Sequence, residues 1–204
     1  MYKNQGSHSA PLIFYPQKVI LIIERAAGFM NSKEKIIEKY IGLVLKRKTA
    51  DIPVTEICEE VGICRKTFYR HFRDRYAIIE DIFVNDIEVP LRVSLRINAG
   101  NDYYVQMIYQ SFLEKKEFYI IAIKEEGNNS LFENIISRLV ELNHEELPQI
   151  GWSGTELEYL SYKFASTQAF LLRKWIRGGM KESPEFMSKI YLTNLPGRKE
   201  LQNI

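Results

Sequence analysis

"GICRKTFYRHF", Gly62–Phe72, packs three aromatics, a histidine and three long cations into eleven positions. At helical spacing Phe68 and Phe72 fall four apart on one face, while Arg65, Lys66, Tyr69 and Arg70 fall mostly away from it. The segment is therefore core on one side and surface on the other. Gly62, just ahead of it, can take the positive φ of a tight turn.

The flanks extend this pattern. From Ser32 onward Ile36, Ile37, Tyr40, Ile41, Val44 and Leu45 recur as the apolar stripe of one helix, which "TADIP" breaks at 49–53. Pro53 suits the first turn of a short second helix over about 53–61, with Val54, Ile57, Cys58 and Val61 inward. A third helix is expected over about 64–71. "RDR" at 73–75 is a brief turn, and a longer helix begins near Tyr76 with Ile78, Ile79, Ile82 and Phe83 inward. Three short helices with a glycine at the turn between the second and third form the helix-turn-helix pattern.

Beyond Pro90 the periodicity predicts amphipathic helices over roughly 103–115, 117–125, 130–147, 155–177 and 184–194. Gly178 and Gly179 stop one of these, and Ser183 as N-cap with Pro184 at the first helical position starts the next. No strand pattern or repeat interrupts them. The expected fold is all-α, an N-terminal three-helix helix-turn-helix DNA-binding head plus a C-terminal helical ligand-binding and dimerisation body. Residues 31–76 are assigned to the head and 77–204 to the body, and residues 1–30 to a poorly defined extension. Met30, followed by "NSKEKIIEKY", is expected to be the natural start.

Charge divides along the same lines. The 204 residues carry a net charge of +2, but residues 33–75 hold 11 Lys/Arg against 7 Asp/Glu and residues 76–204 hold 14 against 18. A basic block on an acidic body fits a polyanionic partner. Cys58 and Cys64 make neither a disulfide framework nor a zinc site and read as reduced thiols of a cytoplasmic protein. The apolar run "VILII" at 19–23 is too short to span a membrane. His8, His71 and His144 are scattered, no phosphate loop or HExxH occurs, and no enzyme, metal site or cofactor is expected.

"VGICRKTFYRHFRDRYAIIEDIF", residues 61–83, resembles the signature of the TetR family of transcription regulators. The matching positions are Gly62, Thr67, Phe68, Tyr69, His71 and Phe72, with Arg75 where lysine is usual. Cys64 departs from the serine or threonine that usually caps the recognition helix, a weakening of about 1 kcal/mol. "KKEFYIIAIKEEGNNSL", residues 115–131, is similar to the branch that includes the dihydroxyacetone kinase operon activator.

The resemblance implies a homodimer on a palindromic double-stranded DNA operator. Arg65, Lys66 and Arg70 are expected at major-groove base edges, where an arginine fork on guanine contributes about 1–3 kcal/mol of discrimination. Thr67, Tyr69 and His71 are expected at phosphates, Arg75 and Lys48 extend that footprint, and Thr55 touches backbone or a base. Alternatives stay open: Tyr69 as a core aromatic with its hydroxyl at the surface, and His71 as a structural hydrogen-bonding group.

"TELEYLSYKFASTQAFLLRKWIRGG", residues 155–179, carries two apolar stripes. One is Leu157, Leu160, Phe164, Leu171 and Trp175; the other is Tyr162, Ala165, Ala169, Leu172 and Ile176. A helix apolar on two faces must bury both. The second stripe, with Phe186 and Ile190, is assigned to the dimer interface, as part of the four-helix bundle that the family forms across its two-fold axis. The family also implies a pocket for an unidentified small-molecule effector, with Tyr104, Met107, Phe112, Tyr119, Phe132 and Tyr159 as candidates. The expected function is a ligand-released repressor; the alternatives are an activator, or control by a protein partner.

Overall fold

The structure is a computed structural model that describes residues 30–90, 102–127 and 130–193. Nine α-helices lie among the described residues, and no strand. The first, α1, spans Ser32–Arg47 behind a capping box, in which the Asn31 side chain accepts from the Glu34 backbone N–H and the Glu34 side chain from that of Asn31, both at 3.0 Å. It ends at Lys48, whose φ of 59° places it in the left-handed region. Next come α2, Val54–Val61, and α3, Arg65–His71. Gly62 joins them at φ 75°, and the N–H groups of Gly62 and Ile63 both reach the Cys58 carbonyl at 3.0 Å. The turn expected from the sequence is present, although Pro53 caps α2 from outside rather than opening its first turn.

Phe68 and Phe72 pack beneath α3 on a core with Ile36, Tyr40, Val44 and Ile57. Asp74 caps α4, Arg75–Phe83, by accepting from the Ala77 N–H at 2.9 Å. The helix then widens into a π-helical turn at Val84–Glu88, which the periodicity did not predict. Asp86 in that turn accepts from Lys115 Nζ at 2.6 Å and from the Tyr119 hydroxyl at 3.2 Å, tying the widened segment to the body.

The body consists of α5 (Asp102–Glu114), α6 (Lys116–Ala122), α7 (Leu131–Glu146), α8 (Gly154–Arg177) and α9 (Pro184–Thr193). Helices α7 and α8 pack against each other along their lengths, and α9 lies on α5. The head does not float free of this assembly. Helix α1 packs on α6 and α4 on α7, so a single hydrophobic core runs from Ile36 to Leu192. Glu125, after α6, accepts from Thr49 Oγ1 at 3.0 Å and from the Ala50 N–H at 3.3 Å, a polar clasp on the α1–α2 loop. No described helix is long and apolar enough to cross a membrane, and the described residues hold no cluster suited to a metal ion. The expectations for residues 1–29, Met30 as natural start among them, lie outside the described residues.

Candidate nucleic-acid interface

Helix α3 places its two faces as the sequence period requires. Phe68 is fully buried, whereas Tyr69 is 55% exposed with its ring edge-on to Phe68 at 5.5 Å. Arg65, Lys66 and Arg70 are exposed, and among the described residues none of them forms an ion pair. Elsewhere in the head, Lys39 lies 3.6 Å from Glu60, Arg47 lies 2.8 Å from Glu56, and Arg73 lies between Asp74 and Glu80. Glu56 and Glu60 of α2 are thus matched by cations of α1, while the outer face of α3 offers an approaching polyanion three exposed cations that have no ion pair among the described residues.

The N-terminus of α3 is capped by backbone geometry alone. Cys64 makes no side-chain cap bond; its sulfur lies 3.4 Å from Thr67 Oγ1. That contact, first among the causes, holds the Cys64 thiol below its ordinary pKa, while burial pushes the Cys58 thiol up. Thr67 is half-buried. His71 is half-buried too, and its Nε2 has no hydrogen-bond partner among the described residues. Thr55 is half-buried on the first turn of α2, and Lys48 is exposed at the end of α1.

Arg75 needs correction. Its guanidinium pairs with Asp51, donates from Nη2 to the Tyr76 hydroxyl at 2.9 Å and stacks 4.6 Å from the centre of the Tyr76 ring. It fastens the start of α4 to the α1–α2 loop and is not a free phosphate ligand. Its role depends on Asp51, a residue distant in sequence, so nothing local betrayed it.

The dimer stripe also needs correction. Ala165, Ala169, Leu172 and Ile176 are buried inside their own protomer. With the buried Ser161 they place small residues at helical spacing along α8, which lets α7 approach closely, so this stripe is the core stripe. Of the other stripe, Trp175 is buried as well, and Leu157, Leu160, Phe164 and Leu171 are half-buried. Phe164, Thr167 and Leu171 line a shallow groove with Met187 and Ile190 of α9, and Phe186 is 51% exposed nearby in sequence. Tyr162, the remaining member of the stripe assigned to the dimer interface, is 58% exposed.

Of the pocket candidates, Phe112 lines a cavity. Tyr119 is fully buried against Asp86, Phe132 packs on Phe170 and beneath Arg173, and Tyr159 is 72% exposed, so none of the three fits the role. Met107 is half-buried away from the cavity, and the side chain of Tyr104 lies outside the described residues. The cavity measures about 40 Å³ and is bordered by Phe83, Val105, Phe112 and Leu172, with Tyr109, Gln168 and Tyr191 as its polar members. Sequence reading missed those three because they sit among apolar neighbours at core positions. Gln168 carries a signal, an amide at helical spacing from the buried Ala165 and Leu172.

A TetR C-terminal family model, described as "Transcriptional regulator C-terminal region", matches residues 102–197. The HTH-type dhaKLM operon transcriptional activator DhaS of Lactococcus lactis subsp. lactis (strain IL1403) is 25% identical over 174 residues, covering 77% of this chain and 89% of that protein. Among solved structures, a dihydroxyacetone kinase operon activator DhaS matches with a TM-score of 0.55 and 20% identity over 83% of this chain and 97% of that one, a likeness of fold.

Proposed function

We propose that this chain, whose residues 102–197 match a TetR C-terminal family model, is a transcription regulator of the TetR type that reads an operator palindrome as a homodimer through the outer face of α3. The observation that carries this reading is the set of exposed, uncompensated cations on a helix whose opposite face is anchored in the core. Arg65, Lys66 and Arg70 read base edges in the major groove. Tyr69, Thr67 and His71 hold phosphates and set register, with Lys48 and Thr55 at the margin. Residues 31–76 act as the reading head and the remainder as body, with α4 belonging to both.

Dimerisation uses the outer stripe of α8, Phe164 and Leu171, together with Phe186 and Ile190 of α9. A head this small binds one half-site weakly, and a two-fold pair supplies two. A small molecule in the body cavity controls operator affinity. The L. lactis relative bears the name of an operon activator, which supports activation over repression as the sign of regulation.

The experiment is fluorescence anisotropy of the full chain on its own upstream DNA and on random duplex, across a salt series. Tight, salt-dependent and sequence-selective binding is expected. Equal, weak binding to both duplexes at all salt concentrations would overturn the reading. In vitro transcription from the same DNA assigns the sign.

A further inference from the structure

Three polar-tipped residues, Tyr109, Gln168 and Tyr191, line both the cavity of about 40 Å³ and the groove between α8 and α9, and so stand between the two hollows. Among the described residues the Gln168 Oε1 is buried without a hydrogen-bond partner. A buried amide atom left unpaired calls for a polar occupant, either water or a ligand.

We infer that this cavity is the site of a small, uncharged, hydroxyl-bearing molecule held by the Gln168 amide between the Tyr109 and Tyr191 hydroxyls. The inference rests on the ligand-controlled reading above and names the chemistry of its effector. Three observations lead to it. About 40 Å³ accommodates roughly three water-sized groups, which limits the occupant to a compound of three or four non-hydrogen atoms. Among the described residues no lining side chain is charged, so an ionised compound would lose its hydration with none of them to replace it. A hydroxyl both donates and accepts, so it completes the hydrogen bonding of the amide at either of its ends, which a carbonyl compound cannot do.

The position of these residues gives binding a consequence. Gln168 and Tyr191 belong to α8 and α9, the two helices that carry the proposed dimer face, so a molecule bound behind them acts on the spacing of those helices. Filling the cavity should therefore alter operator affinity through the pairing of the two reading heads.

The test uses the full chain labelled with ¹⁵N at glutamine side chains, with the Gln168 amide signal assigned by its loss in Gln168→Leu. 1-Propanol, ethane-1,2-diol, acetone and acetate, each of four non-hydrogen atoms, are titrated in turn, each followed also by operator anisotropy. The alcohol and the diol are expected to shift the Gln168 signal saturably, acetone at least tenfold more weakly, and acetate not at all. Tyr191→Phe, which keeps the ring, is expected to weaken alcohol binding severalfold while the protein retains its helical circular dichroism. Equal binding of acetone overturns the hydroxyl requirement, and binding of acetate overturns the requirement for neutrality. An unchanged Gln168 signal with every compound shows that water alone fills the cavity and overturns the site. Saturable alcohol binding with operator affinity unchanged supports the site and instead overturns small-molecule control of the protein.

Discussion

Arg138 on α7 donates from Nη2 to Glu80 Oε1 on α4 across 2.7 Å, and the other oxygen of that carboxylate lies 3.8 Å from Arg73, just past the recognition helix. One carboxylate thus joins a cation of the body to a cation of the head. Arg138 also lies 3.0 Å from Glu141 and 3.7 Å from the buried Glu88. Removing it leaves several carboxylates facing one another around a partly buried space.

Arg138→Ala is therefore expected to destabilise the protein by about 1–3 kcal/mol, less than a fully buried pair because the guanidinium is partly solvated. Calorimetry should record a fall of several degrees in Tm. A loss below about 0.5 kcal/mol would show that solvent already screens the network.

The head separates the cations proposed to read DNA from a cation that builds the fold. Arg65→Ala should relax sequence preference at one base position by about 1–3 kcal/mol with little change in melting temperature. Arg75→Ala should leave the salt dependence of DNA binding unchanged and cost about 1 kcal/mol of stability, through its exposed ion pair and its stacking on Tyr76. A fall of about one unit in the Arg75→Ala salt slope would restore this residue to the phosphate contacts.

The two thiols should react in a fixed order. Cys64 is exposed, with a pKa lowered chiefly by the Thr67 hydroxyl, whereas Cys58 is buried and its thiol is raised by that burial. Since the thiolate is the nucleophile, Cys64 should alkylate first near neutral pH, and its rate should rise as pH climbs through the lowered pKa. Thr67→Val should move that rise to higher pH. Mass spectrometry of peptides after a brief iodoacetamide pulse checks both, and alkylation of Cys58 ahead of Cys64 would contradict the burial pattern.

Substitutions on the two stripes of α8 should fail in different ways. Leu171→Glu, on the outer groove, should give a folded monomer with weakened operator binding. Ala169→Glu, on the buried stripe beside α7, should abolish folding, because it forces a carboxylate into a close-packed interior. Sedimentation velocity with circular dichroism distinguishes the outcomes; a dimeric Leu171→Glu protein would place the two-fold axis elsewhere.

What the sequence determined by itself was local: the helix-turn-helix, the all-α body, the left-handed turn at Gly62, the Ser183–Pro184 start, and the division of α3 into the Phe68 face and the Arg65 face. Each of these follows from backbone geometry over three or four residues, since helical period alone sets the angle between side chains on one helix. Tertiary structure decided the rest. Period shows that α8 has two apolar stripes but not which one meets α7; the close approach allowed by Ser161, Ala165 and Ala169 settled that. Arg75 became structural only because the fold brought Asp51 beside it. Tyr109, Gln168 and Tyr191 converge from α5, α8 and α9 around one cavity. Such convergence depends on how separate helices are placed in space, and one helix's periodicity carries no information about where its neighbours lie.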